Sequence, residues 1–165
     1  MSDHMTGDYL FASIATNASH SGETAFVERE CGFVDLNGDG IDDLLLSDPL
    51  CMDGNGGTTY HVILAEKEHY RHLGEITGNS IHVEEIPDET RVVWAFAHGS
   101  ASSGSITCAR IEYGKIFLKG SLPIFLTEKP ADSLGAMFLD QIEKKATLPI
   151  RWKRSQTIDG KIKWD

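Results

Sequence analysis

An acidic, glycine-bearing loop that leads directly into an apolar run restricts the fold of this 165-residue chain more than any other feature. The loop occupies residues 35–43 and reads DLNGDGIDD. The run that follows it is Leu44-Leu45-Leu46. An unbroken apolar run of this kind is typical of a strand that is buried on both faces. The sequence therefore predicts a tight polar loop that feeds a central strand.

The spacing of oxygen-bearing side chains in this loop predicts a Ca²⁺ site. They stand at the first, third, fifth and ninth positions, and a glycine stands at the sixth. Ca²⁺ binds about six to eight oxygens, and a loop wraps around it by alternating ligand and spacer residues about a sharp turn. Gly40 would adopt the backbone angles that other residues resist. The predicted ligands are the side chains of Asp35, Asn37, Asp39 and Asp43 and the carbonyl of Ile41.

The loop has two alternative interpretations. Asp, Asn and Gly favour turns with or without a metal, so the loop could be an ordinary connection between strands. The three carboxylates among its predicted ligands would then repel one another, and no Lys or Arg lies between Arg29 and Lys67. An EF-hand is not expected, because position twelve is Leu46 instead of Glu and the flanking segments have strand patterns.

The stretch from Phe33 to Leu46, FVDLNGDGIDDLLL, resembles the calcium loop of FG-GAP and VCBS-type repeats. These repeats occur in integrin-like propellers and in many bacterial surface proteins. The resemblance implies that Asp35, Asn37, Asp39 and Asp43 hold Ca²⁺ between two strands. It covers the loop and not the propeller, because propellers need several copies and this chain has one. The chain also looks like small exported bacterial single-domain proteins, although no activity follows from that likeness.

The rest of the chain predicts a mainly β (β-rich α+β) fold. Short β-branched and aromatic runs recur at intervals of roughly ten residues, which is typical of an antiparallel meander sheet. We expect residues 25–165 to form a single domain and residues 1–24 to pack on it. The predicted strands are 25–34 (one kinked strand or two short ones), 43–47, 58–65, 70–76, 80–86, 91–97, 106–112 and 115–119.

The C-terminal third predicts one amphipathic helix and one terminal hairpin. Asp132 or Ser133 would cap the helix, Lys144 and Lys145 suit its last turn, and Pro149 stops it. Asp159-Gly160 is a strong hairpin signal between residues 150–158 and 161–164, and Tyr113-Gly114 predicts another hairpin. The apolar stripe of the helix is Leu134, Met137, Phe138, Leu139 and Ile142.

Charge is distributed unevenly along the chain. Residues 1–100 carry four Lys/Arg and eighteen Asp/Glu, a net charge of −14, and residues 101–165 carry a net charge of +4. Nucleic acid is not expected as a partner, because such binding depends on clustered positive charge. We interpret the asymmetry as two parts of the chain that attract each other. An acidic face that docks on a cationic partner is the alternative.

Several features bear on the compartment of the protein. No apolar stretch reaches the roughly 18 residues that span a bilayer, and residues 1–7 lack the pattern of a signal peptide. A cytoplasmic protein and a mature segment without its leader both fit. The calcium loop favours a periplasmic or secreted location, where free calcium is high. Cys31 and Cys51 could form a disulfide across the loop, or the three cysteines could be buried thiols.

The histidines and serines give no strong catalytic or zinc signal. His69 and His72 fall on opposite faces if their segment is a strand, and His61 and His82 are interpreted as surface or satisfied histidines. Zinc is therefore not expected. The segment 98–105 invites a hydrolase hypothesis built on His98 and its serines, but it lacks the glycine spacing of a nucleophile elbow.

Together these patterns predict a calcium-stabilised, non-enzymatic binding or interaction domain in which calcium is structural. Its partner would be a protein or a carbohydrate. The first alternative is a small acidic inhibitor or immunity-type protein that docks on a basic enzyme cleft. The second is the hydrolase that uses His98 and the serine-rich segment.

Overall fold

Strand-forming sequence dominates the part of the chain that the structure describes. The computed structural model describes residues 27–48, 57–67, 69–87, 91–100, 102–125, 134–145, 148–158 and 161–164. Its elements are β1 (Val27–Val34), β2 (Asp43–Ser47), β3 (Thr58–Ala65), β4 (Tyr70–Gly78), β5 (Ser80–Glu85), β6 (Arg91–Ser100), β7 (Ser103–Glu112), β8 (Lys115–Phe125), α1 (Leu134–Lys145), β9 (Arg151–Ile158) and β10 (Lys161–Trp164).

The strands form two antiparallel sheets. The first has six strands in the order β10-β9-β1-β2-β3-β4, and the second has four strands in the order β5-β6-β7-β8. The second sheet is a simple meander. In the first, β9 returns from the end of the chain and pairs with β1 from Val27↔Thr157 to Phe33↔Arg151. This long-range pairing places β1, like β2, in the interior of the sheet.

The main core lies between the two sheets. It contains Leu45 of β2, Val62 of β3, Val83 of β5 and Val93 of β6, each at most 1% exposed. A second cluster lies on the opposite face of the six-stranded sheet and consists of Cys31, Leu44, Leu46 and Ile63. Leucines of β2 thus enter both clusters, and every residue of this strand is buried. The prediction that the leucine run is buried on both faces is confirmed.

Ion pairs join the acidic and basic parts of the chain. Arg154 of β9 donates to Glu30 of β1 from Nε at 3.2 Å and from Nη2 at 3.1 Å. Arg151 pairs with Asp42 of the acidic loop. These exposed pairs each contribute little to stability. They are consistent with our interpretation that the uneven charge distribution is partly neutralised within the molecule.

The predicted fold class is confirmed: the described part of the chain is mainly β, with two antiparallel sheets and, within those residues, one helix near the C-terminus. The Tyr113-Gly114 hairpin is confirmed too, and φ is positive at both residues (50° and 64°), as a two-residue hairpin turn requires. Ile142 of α1 packs with Ile106 and Ile124. No helix within the described ranges is long and apolar enough to cross a membrane.

Some predictions fall on residues outside the described ranges. They concern the N-terminal segment 1–24, the first two residues of the strand predicted at 25–34, the helix caps Asp132 and Ser133, and the turn at Asp159-Gly160. Cys51 is also outside them, whereas Cys31 is a free, buried thiol. Burial raises the pKa of the Cys31 thiol to about 12.

The two-sided burial of β2 leads to a test of the core. Leu45→Ala should reduce the free energy of unfolding by about 2–5 kcal/mol, because Leu45 is fully buried between the sheets and its truncation leaves a cavity. The matched control Leu118→Ala, on β8 at 66% exposure, should cost less than about 0.5 kcal/mol. Urea denaturation measures both values. Equal losses in the two variants would contradict the assigned core.

Candidate calcium-binding loop

The acidic loop connects β1 to β2, which pair directly beside it through Val34↔Asp43. Asp35 organises the first half of the loop with both of its carboxylate oxygens. Oδ1 accepts hydrogen bonds from the backbone N–H groups of Asn37 (3.3 Å) and Gly38 (2.7 Å), and Oδ2 accepts one from that of Gly40 (3.0 Å). One side chain therefore holds three backbone donors of the loop.

Asn37 and Asp39 continue this pattern. The Asn37 Oδ1 accepts from the Asp39 N–H at 3.0 Å, and the Asp39 Oδ1 accepts from the Ile41 N–H at 2.8 Å. The Asn37 amide also donates to the Asp39 Oδ2 at 3.0 Å. Gly38 and Gly40 have φ of 81° and 82°, a region that side chains disfavour. The predicted backbone role of Gly40 is confirmed.

Asp43 is the most constrained residue of the site. It is fully buried, and its carboxylate accepts from the Leu36 N–H through Oδ2 and from the Ala65 N–H through Oδ1, each at 2.8 Å. Leu36 follows β1 and Ala65 ends β3, so a single side chain of β2 joins both neighbouring strands. Burial raises the pKa of the Asp43 carboxyl to about 6; the two backbone hydrogen bonds oppose this shift, and the Asp39 and Asp35 carboxylates add to it.

The donor set of the loop suits a hard cation in type and number. Three carboxylates, one amide oxygen and the Ile41 carbonyl provide oxygen ligands, which Ca²⁺ prefers. A carboxylate has about four lone-pair sites, so Asp35 and Asp43 keep acceptor capacity beyond their backbone hydrogen bonds. In the described chain, however, the carboxylate oxygens of Asp35, Asp39 and Asp43 do not all lie within 4.8 Å of one another. Backbone amides hold the loop in the arrangement described here.

The serine-rich segment forms the tight connection between β6 and β7. The Ser100 hydroxyl lies 2.8 Å from that of Ser103 and 3.5 Å from that of Ser102. His98 donates from its backbone to the Asn79 side chain at 2.7 Å, and its ring packs against Phe96. Among the described residues, the hydrogen bonds of these hydroxyls reach neither a histidine nor a carboxylate.

An exposed apolar surface lies on β8, which is the edge strand of the four-stranded sheet. Four of its large apolar side chains have exposed fractions between 38% and 66%, far above those of the core. An edge strand offers unpaired backbone groups, and exposed apolar side chains on it are typical of an interaction surface. The residues concerned are Phe117, Leu118, Leu122 and Phe125.

His61 and His72 lie together, which the sequence patterns did not predict. Their ring nitrogens are 3.3 Å apart, on β3 and β4. An isolated glycine inside a strand pattern is typical of a β-bulge. Gly74, within the predicted strand 70–76, is such a glycine. This glycine was the signal that side chains of β4 do not alternate regularly between the two faces of the sheet at this point.

Comparison of the chain with protein-family models, with curated proteins and with solved structures gave no match. The likeness of residues 33–46 to FG-GAP and VCBS-type loops therefore remains a prediction that depends on those residues alone.

The role of Asp43 in the loop can be tested by amide hydrogen exchange. Hydrogen bonds to charged groups contribute about 1.5–3 kcal/mol, so Asp43→Ala should accelerate exchange at the Leu36 and Ala65 amides by about tenfold or more. Asp42→Ala, which removes the neighbouring exposed carboxylate, should leave both amides protected. NMR-detected exchange gives the rates. Equal rates in the two variants would contradict the bridging role of Asp43.

Proposed function

We propose that this chain is a calcium-stabilised binding domain in which Ca²⁺ has a structural role at the loop 35–43. The observation that carries the proposal is the spacing of Asp35, Asn37 and Asp39 on one short loop that ends in the buried Asp43. The ligands would be the side chains of these four residues and the Ile41 carbonyl. They match the oxygen-rich coordination that Ca²⁺ requires.

A cation would stabilise this loop through electrostatics. Asp35 and Asp39 both raise the pKa of Asp43, so their negative charges oppose ionisation of the buried carboxyl. Asp42 pairs with Arg151 and is partly neutralised by it. A divalent cation offsets the repulsion among the three remaining carboxylates, and it would strengthen the junction of β1, β2 and β3 that Asp43 already joins.

The binding role is supported by the exposed edge of β8. This edge belongs to the four-stranded sheet, whereas the loop lies at the β1–β2 turn of the six-stranded sheet. Protein partners recognise such edges by adding a strand or by covering apolar side chains. Calcium bound at the loop would then stabilise the fold of the domain and would not contact the partner. We therefore propose a protein as the partner class.

Calcium should raise the thermal stability of the full chain. At 100 times its dissociation constant, a ligand adds about 2.7 kcal/mol to the free energy of unfolding. For a chain of this size that corresponds to an increase in Tm of about 5–10 °C. Differential scanning calorimetry in calcium and in chelator measures the difference.

Two variants of the loop make this experiment specific. Asp39→Ala removes a proposed ligand and should abolish the calcium-dependent increase in Tm. Asp42→Asn removes one negative charge from the same loop but no proposed ligand, so it should retain the increase. If calcium leaves the Tm of the wild-type chain unchanged, or raises it equally in Asp39→Ala, the loop is an ordinary turn and the proposal is wrong.

A further inference from the structure

A second cluster of metal-ligating side chains lies on the six-stranded sheet, apart from the acidic loop. His61 of β3 and His72 and Glu75 of β4 place one ligand atom each within 4.8 Å of one another. His61 is 19% exposed at its side chain and Glu75 is 56% exposed, so the cluster is open to solvent on one side. It occupies the face opposite the main core.

A β-bulge brings these three residues together. His72 and Glu75 are three residues apart, and in a regular strand they would point to opposite faces. The ladder pairs Val62 with Gly74 and Ile63 with His72, so β4 has one extra residue, Leu73, at this point. Leu73 packs against the main core. An inserted residue of this kind reverses the alternation, and His72 therefore shares the face of Glu75.

Asp48, which directly follows β2, orients the His61 ring. The His61 Nε2 lies 3.1 Å from the Asp48 Oδ1. In the tautomer in which Nε2 donates to this carboxylate, Nδ1 offers its lone pair to a metal. The Nδ1 atom faces the His72 Nε2 at 3.3 Å and the Glu75 Oε1 at 3.4 Å.

We propose that His61 Nδ1, His72 Nε2 and Glu75 Oε1 bind a Zn²⁺ ion. Zn²⁺ binds its nitrogen and oxygen ligands at about 2.0–2.2 Å, and a tetrahedron of that size separates neighbouring ligand atoms by roughly 3.3–3.6 Å. The two distances from His61 Nδ1 have this length. The centroids of the two imidazole rings are 5.2 Å apart and their planes are inclined at 57°.

The surroundings of the cluster favour Zn²⁺ over Ca²⁺. Two imidazoles and one carboxylate suit Zn²⁺ and related transition metals, whereas Ca²⁺ takes oxygen ligands. Asp48 plays the part of the carboxylate that commonly orients a metal-bound histidine from behind. Three protein ligands leave a fourth position on the solvent side, which a water molecule would occupy.

Isothermal titration of the full chain with ZnCl₂, after removal of transition metals and in saturating calcium, tests this proposal. We expect one Zn²⁺ per chain. Asp48→Asn should weaken binding by about 10–100-fold, the usual effect of losing such an orienting group. His72→Ala should weaken it at least as much, because it removes a ligand. Zn²⁺ should also shift the ring signals of His61 and His72 in NMR spectra.

Two controls separate this site from others in the chain. His69→Ala removes a nearby exposed histidine outside the cluster and should leave Zn²⁺ affinity unchanged. Asp39→Ala, in the acidic loop, should also leave it unchanged. Circular dichroism checks that each variant is folded, and His72→Gln provides a milder replacement. Absence of Zn²⁺ binding to the wild-type chain would overturn the proposal. Equal affinities in His72→Ala and His69→Ala would also overturn it.

Discussion

The buried Asp43 carboxylate is the interaction on which this structure depends most. It accepts one hydrogen bond from the loop after β1 and one from the end of β3, while its own residue begins β2. Burying a carboxylate is costly unless it is paired or hydrogen-bonded. Two backbone donors partly offset that cost, and a cation would offset more of it. The acidic loop and the three central strands are thus linked through one side chain.

The strand that begins with Asp43 contributes to the apolar clusters on both faces of the six-stranded sheet. β2 is held between β1 and β3, and its leucines pack alternately into the clusters on both faces. β9 then covers the far side of β1 and brings Arg151 and Arg154 to Asp42 and Glu30. The basic C-terminal part of the chain therefore contributes both strand pairing and charge neutralisation to the acidic N-terminal part.

Local patterns in the sequence predicted most of the elements but not their long-range arrangement. The leucine run predicted a strand buried on both faces, and Tyr113-Gly114 predicted a hairpin, because periodicity and turn chemistry are local properties. The pairing of β1 with β9, and the division into two sheets, depend on contacts between residues far apart in the sequence. Residue spacing predicted which loop residues could be ligands. It did not predict that the Asp43 side chain points inward, because that orientation depends on the Ala65 N–H at the end of β3. The His61–His72 pair was missed because a bulge at Leu73 and Gly74 changes the alternation of faces.

The most direct test of the proposed calcium site is a crystal structure of the full chain in saturating calcium. We expect an ion in the loop 35–43 with oxygens at about 2.3–2.6 Å, contributed by the proposed side chains and by the Ile41 carbonyl. A loop that keeps only its backbone hydrogen bonds, with no ion among the oxygens of Asp35, Asp39 and Asp43, would contradict the structural role of calcium.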